Sequence, residues 1–470
     1  MGEMVVVQGT TVPSGGNFEV EPTTNANGDN PDPAKTGCKD PIFAVLFYVN
    51  VIAILAVVAV YGVPAMNGVK SASYMGYVTI AAVFGILSLA LSGVGLILLM
   101  SCPALIIKCG LIFSVVMSLL YCIYSFLFMN MFYGIIAVVF FMITVCYAKA
   151  VWSRIPFAAV NMLTAATAIK ANLGVTFFAV FFTVVEVAWF VLWTIALSGV
   201  YDETVNCSDD GNNADGSCNI NYGLLFLLFL SLYFTQQVLQ SCVHVTVAGT
   251  VATWWVAPDE SGCCSKAVCN SFIRTVTTSF GSICFGSLLV AILQALKAIA
   301  SAAQSNDDMA LLACIAQCII GCLQRILEYF NKWAYIYVGV YGYSYIEAGK
   351  AVMQLFKDRG WEAIIADDLV SGAIFLVCVV IGLIIGGIGV ALATINSQTM
   401  ELAMNSLWAA FGIGFVAGLF VCCILLSTIA SGVNTVLVMF ADAPQEFQRN
   451  HPELSEKMRT VWEEFYPGSI

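Results

Sequence analysis

Charged side chains are scarce: 10% of the 470 residues are Asp, Glu, Lys or Arg, against about 25% in soluble globular chains. That shortage excludes an ordinary cytosolic enzyme. Histidine is nearly absent, with only His244 and His451, and the carboxylates are dispersed, so the ligand set of a catalytic metal is missing. No Walker loop, dinucleotide fingerprint, HExxH or nucleophile elbow occurs, which leaves ATP coupling and hydrolysis without a motif. The chain is therefore expected to use no cofactor and to be no enzyme. Basic grooves are lacking too. The net charge of -11 is carried by termini and loops, and no nucleic-acid partner is expected.

What fills the sequence instead is hydrophobic, 60% of it, in runs of the roughly 20 residues that cross a hydrocarbon layer. Ten spans are expected: Phe43–Val63, Tyr77–Met100, Leu105–Met129, Phe132–Ala148, Val175–Leu197, Gly223–Val247, Phe280–Ala300, Met309–Leu327, Leu369–Ala393 and Trp408–Phe440. The eighth is short and flecked with polar residues. Positive residues concentrate in short cytoplasmic loops. With ten spans and the N-terminus inside, all of the 18 Lys and Arg residues except Lys70 and Lys297 fall on the cytoplasmic side. Deleting the eighth span would export the basic C-terminal segment. The expected fold is thus an all-α integral membrane protein of about ten transmembrane helices with both termini cytoplasmic; the plasma membrane is its expected location. A disordered tail is expected over 1–40, the transmembrane domain over 41–440 and a cytoplasmic tail over 441–470.

This topology puts loop 200–222 outside. It holds the glycosylation sequon at Asn206 and two cysteines, Cys207 and Cys218, that can close a disulfide in an oxidising compartment, although a bridge at Cys207 competes with a glycan next door. On the cytoplasmic side, residues 152–172 and 331–360 mix aromatic, small and basic residues as interfacial helices do. The small-xxx-small pairs Gly382 with Gly386 and Gly414 with Gly418 let helix backbones approach, within the chain or between two copies. Monomer and homodimer both remain open.

Polarity inside the spans is costly and usually faces the bundle interior or a water-filled path. On the sixth span Tyr233, Gln236, Gln237, Gln240 and His244 fall close to one helical face. They form either a hydrogen-bonded seam between helices or the wall of a cavity. On the fifth, Glu186, Trp189 and Trp193 share a face. A carboxylate beside indole rings suits a small organic cation, since each ring attracts an ammonium group by roughly 0.5 to 2 kcal/mol. A protonated Glu, an ion pair with Lys297 or an interfacial tryptophan belt would account for the same residues. These eight are the candidate substrate-binding residues.

The stretches "VHVTVAGTVATWW", "RTVTTSFGSICFGSLLVAIL", "NKWAYIYVGVYGYSYIEAGKAVMQLF", "DDLVSGAIFLVCVVIGLIIG" and "TVLVMFADAPQEFQRNHPEL", in this order from about Asp40 to Leu454, resemble the choline transporter-like family. The resemblance implies a ten-span transporter of choline or a related amine such as ethanolamine, not driven by ATP. Animal members carry a large extracellular domain between their first two spans. Here that link is only "PAMNGVKSASYMGY", so the chain is similar to the short fungal, plant and protist forms. Two alternatives stay open: a non-transporting membrane scaffold, and a carrier of another solute such as a thiamine derivative. The topology is checked by single-cysteine labelling with an impermeant maleimide: a cysteine replacing Asp210 reacts on intact cells, and one replacing Asp358 does not.

Overall fold

In hydrocarbon every backbone polar group must be satisfied inside the protein, which leaves helices or closed barrels as spanning structures. This sequence uses helices: the computed structural model describes residues 37–63, 74–129, 131–205, 222–263, 265–303, 310–359, 362–395 and 407–465, with no strand among them. We number fifteen α-helices. They are α1 Pro41–Val57, which runs on into a π-helical turn Val58–Gly62, α2 Tyr74–Ser101, α3 Pro103–Phe128, α4 Met131–Val151, α5 Ile155–Ala171, α6 Gly174–Val205, α7 Tyr222–Val256 and α8 Lys266–Val276. Then follow α9 Phe280–Ala303, α10 Ala310–Tyr341, α11 Tyr345–Arg359, α12 Glu362–Ile395, α13 Leu407–Asp442, α14 Pro444–Asn450 and α15 Pro452–Phe465. Residues 1–36 and the sequon and cysteines of loop 200–222 (Asn206, Cys207, Cys218) lie outside the described residues.

Nine helical stretches among the described residues are long and apolar enough to cross a membrane, and the chain is an integral multi-pass membrane protein. The expected eighth span is helical, within α10, but is not among the nine. Its 32 residues reach about 48 Å at 1.5 Å per residue, so length is sufficient; Arg325, Glu328 and Lys332 lower its apolarity. Outward faces carry exposed Ile86, Leu127, Phe140, Phe177 and Trp408, which suits lipid rather than water.

Two stretches expected in the membrane interface are core instead. Helix α5 buries Phe157, Ala158, Asn161, Met162, Ala165 and Ile169, because its small residues let α13 approach: a Cβ on Gly432 would meet Ala165 Cβ at 3.3 Å. The last third of α10 buries Trp333, Tyr335, Ile336, Tyr337 and Val338. There Gly339 sits 2.7 Å from the Val245 carbonyl, measured to an added Cβ, so α7 and α10 run in close parallel contact. A positive φ of 69° at Gly342 ends α10. Ser344 and Glu347 then cap α11, with the Ser344 N–H donating to Glu347 Oε2 at 2.9 Å, which holds the Glu347 carboxyl below the usual carboxylate range. The N-terminal start joins the same corner: Asp40 Oδ2 accepts from Ser282 Oγ at 2.7 Å and from the Tyr345 N–H at 3.0 Å.

Residues 444–465 are helical and docked. Trp255 stacks on Phe447 with ring centroids 3.8 Å apart, and Trp254 stacks on His451 at 3.9 Å. Trp255 Nε1 donates to the Ala443 carbonyl at 2.9 Å, and Asn450 Nδ2 to the Val256 carbonyl at 2.6 Å. The ends of α7 and α13 are thereby tied together.

The glycine pairs of α12 and α13 pack against each other. A Cβ on Gly414 would meet the Ile385 carbonyl at 2.8 Å and Gly386 Cα at 3.1 Å; one on Gly418 would meet Gly382 Cα at 3.1 Å. The pairs thus serve contact within the chain. Overpacking costs about 1–3 kcal/mol, so Gly414→Leu lowers the thermal unfolding midpoint, whereas Gly387→Ala, with nothing within 4 Å of its Cβ, leaves it unchanged.

Candidate functional site

Helix α6 presents Glu186, Trp189 and Trp193 toward α1 and α7, as their spacing requires. Glu186 is half-buried. Gln240 Nε2 of α7 donates to its Oε1 at 3.3 Å, and Gln236, one turn earlier, is its second side-chain partner. Both partners are neutral amides, and no Lys or Arg among the described residues pairs with this carboxylate. Lys297, the cation considered from sequence, points its Nζ to within 3.9 Å of a Cβ built on Gly321 of α10.

Trp189 and Trp193 are 6% and 5% exposed and pack with Ile54, Ala196, Val200 and Leu228, bordered by Val57 and Val58. Their neighbours on α1 therefore lie at the entry to the π turn Val58–Gly62, a local irregularity of a kind often found at functional sites. The two indoles differ in one respect. Trp193 Nε1 donates to the Leu228 carbonyl at 2.8 Å, which makes it a strut between α6 and α7. Trp189 Nε1 is buried without a hydrogen-bond partner, a donor whose desolvation is uncompensated. Tyr233 of α7 is half-buried, its ring 6.1 Å from that of Phe229, and Phe229 in turn lies 5.7 Å from Trp193. Asn50 of α1 donates to Thr235 Oγ1 of α7 at 3.1 Å.

The polar stripe of α7 therefore divides. Gln236 and Gln240 partner Glu186, while Tyr233, one turn before Gln236 and Gln237, packs on Phe229. His244 belongs to a seam: Nδ1 lies 2.7 Å from Ser431 Oγ of α13 and Nε2 lies 2.8 Å from the Lys332 carbonyl of α10. With both ring nitrogens engaged it ties three helices. Gln237 is half-buried between these parts. The sequence reading missed a second carboxylate with two glutamine partners, Glu328 with Gln294 and Gln324, because Arg325 and Lys332 make that stretch read as the end of a weak span. Polar residues at helical spacing, Gln324 and Glu328, were the available signal.

Residues 135–445, which include α6, α7, α9 and α10, match the family model described as plasma-membrane choline transporter. The chain belongs to the choline transporter-like family. Among relatives of this family, Protein PNS1 of Mycosarcoma maydis is 30% identical over 92% of this chain and 84% of its own length. Protein PNS1 of Cryptococcus neoformans is 28% identical over 96% and 87%, and that of Kluyveromyces lactis 26% over 82% and 72%. Membership makes the chain a membrane transporter by family.

Removing His244 strands a hydroxyl and a carbonyl at a three-helix junction, at about 1–3 kcal/mol. His244→Ala therefore lowers the thermal midpoint well below that of wild type, and Gln237→Ala, which removes no hydrogen bond to a described residue, does not. Equal midpoints would remove the seam.

Proposed function

We propose that this protein carries choline or a closely related small organic cation across the plasma membrane without ATP, and that Glu186, Trp189, Tyr233, Gln236, Gln237 and Gln240 line its binding site. The observation that carries the reading is a carboxylate on a membrane-spanning helix whose partners among the described residues are two amides and no cation. An unpaired charge at that depth costs several kcal/mol, so a bound cation is the partner the arrangement is built for. Trp189 adds a ring face and an unpartnered N–H, which together suit an ammonium group carrying a hydroxyl. Trp193 and His244, whose hydrogen-bonding atoms are taken up by Leu228, Ser431 and Lys332, frame the site from either end.

The same reading keeps both termini cytoplasmic. The family description names choline and the PNS1 names print no solute, so ethanolamine and thiamine belong in the same experiment.

Purified protein in liposomes is expected to take up radiolabelled choline above empty vesicles; no uptake of choline, ethanolamine or thiamine would contradict the reading. Glu186→Gln keeps shape and hydrogen bonding but removes charge. It weakens cation binding about tenfold or more if the pair contributes about 1.4 kcal/mol. Trp189→Phe costs less than Trp189→Leu, because Phe keeps an aromatic face. Unchanged uptake by folded Glu186→Gln would make the carboxylate structural.

A further inference from the structure

Among the described residues four asparagines are buried, and three of them find a carbonyl. Asn161, Asn172 and Asn331 donate to the carbonyls of Phe157, Ala168 and Gly286. Asn434 of α13 does not. It is fully buried, and neither its Nδ2 nor its Oδ1 has a hydrogen-bond partner among the described residues. Folding back on its own helix, as Asn161 does, is open to it and not taken. An amide stranded in the interior is costly, so keeping one calls for a partner that comes and goes.

Its place follows from the register of α7 and α13. His244 meets Ser431 and, further along, Trp255 meets the Ala443 carbonyl, so the two helices run parallel with a nearly constant offset. Residues at helical spacing then form stripes that can be compared level by level. On α13, Phe420 and Ser427 are exposed, Ser431 is 8% exposed, and Asn434 and Val438 are at 0%. On α7, Gln240 is exposed, His244 is half-buried, and Val247 and Val251 are buried. Both stripes change at the His244–Ser431 contact. The helices part before it, where Gln240 meets Glu186, and close after it. One turn from Gln240 to His244 and one more from Ser431 to Asn434 put the stranded amide about 10 Å beyond Gln240, on the closed side.

We propose that Asn434 lines the inner half of the solute's path, closed in this structure, and meets the solute after it leaves Glu186. The inference rests on the reading of Glu186 as the solute's site. An amide offers an oxygen to a cation or a hydroxyl and two N–H donors to a hydroxyl oxygen, so a small organic cation crossing the closed stretch keeps a polar partner there. The amide carries no charge. It therefore holds the cation less firmly than a carboxylate does, and a weak contact past a strong one lets the solute go on. Passage requires α7 and α13 to part beyond the His244–Ser431 level, which turns the buried stripe of α13 into a wall of the inner path.

The test is side-resolved labelling of Asn434→Cys in the full-length protein, with Val433→Cys, equally buried on the neighbouring residue, as control. The probe is a membrane-impermeant methanethiosulfonate carrying a trimethylammonium group, and modification is read by peptide mass at the substituted position. Applied from the cytoplasmic side to inside-out vesicles, it is expected to modify Asn434→Cys at least tenfold faster than Val433→Cys, and at least tenfold faster than when applied from outside. Equal rates at the two positions, or modification from outside alone, would overturn the proposal. Asn434→Leu keeps the branched shape and removes both stranded atoms. It is expected to hold the wild-type thermal midpoint while cutting choline uptake at least tenfold, and wild-type uptake by this folded variant would equally overturn the proposal. Labelling needs no solute, so it decides the role of Asn434 even where wild-type choline uptake fails, and failed labelling beside intact uptake leaves the reading of Glu186 standing.

Discussion

A polar group in hydrocarbon has no water to fall back on, and this constraint organises the molecule from its loops inward. Most of its intramembrane hydroxyls are silenced locally: Ser88 donates to the Phe84 carbonyl at 2.6 Å, Ser92 to that of Ser88 at 2.6 Å and Thr250 to that of Thr246 at 2.8 Å. Some larger polar side chains also fold back, as Asn161 does onto the Phe157 carbonyl at 2.9 Å, but others reach a second helix. His244 joins α7 to α10 and α13, and Tyr335 joins Ser287 to the Ile283 carbonyl. Asn331 reaches the Gly286 carbonyl at 2.9 Å. These contacts fix how α7, α9, α10 and α13 sit together. Against that background Trp189 Nε1, buried without a partner among the described residues on the helix face that carries Glu186, stands out.

The scaffold and the candidate sites differ in how they are held. Helices α12 and α13 lock backbone to backbone through Gly382, Gly386, Gly414 and Gly418, a contact of dispersion forces that admits little adjustment. The Glu186 site lies elsewhere, among α1, α6 and α7. There the joints are a π turn, the Asn50–Thr235 bond and the strut from Trp193 to Leu228. Gly199 of α6 also abuts the backbone at Tyr61 and Gly62, so the far end of α1 is closely seated on α6. The site is thus built on rigid helices beside a locally irregular one.

Much of this was legible in the sequence. Spans could be read from apolar run length, and helical spacing grouped Glu186 with Trp189 and Trp193 on one face and Gln236 with Gln240 on another, while the packing of α6 on α7 brings Glu186 to the two amides. The glycine pairs were legible as close contacts but not as contacts within the chain, since the same spacing serves a dimer. What escaped is what depends on tertiary packing. Tyr335 and Trp333 read as interfacial aromatics because basic and polar residues surround them, yet α7 and α9 enclose them. Glu328 was hidden by its charged neighbours. The π turn at Val58 has no residue signature, and the docking of α14 rests on Trp254 and Trp255, which read as the end of a span rather than as a receptor for His451 and Phe447.

The claim at the centre is that an unpaired carboxylate in the membrane is kept for a cationic solute. A ligand that binds only the folded protein must stabilise it, by about 2.7 kcal/mol at a hundredfold excess over its dissociation constant. The most direct measurement is the thermal unfolding midpoint of wild-type protein with increasing choline or another quaternary amine, against matched N-methylglucamine chloride. The account predicts a saturable rise with at least one quaternary amine. A midpoint that no such amine raises at any concentration would contradict it.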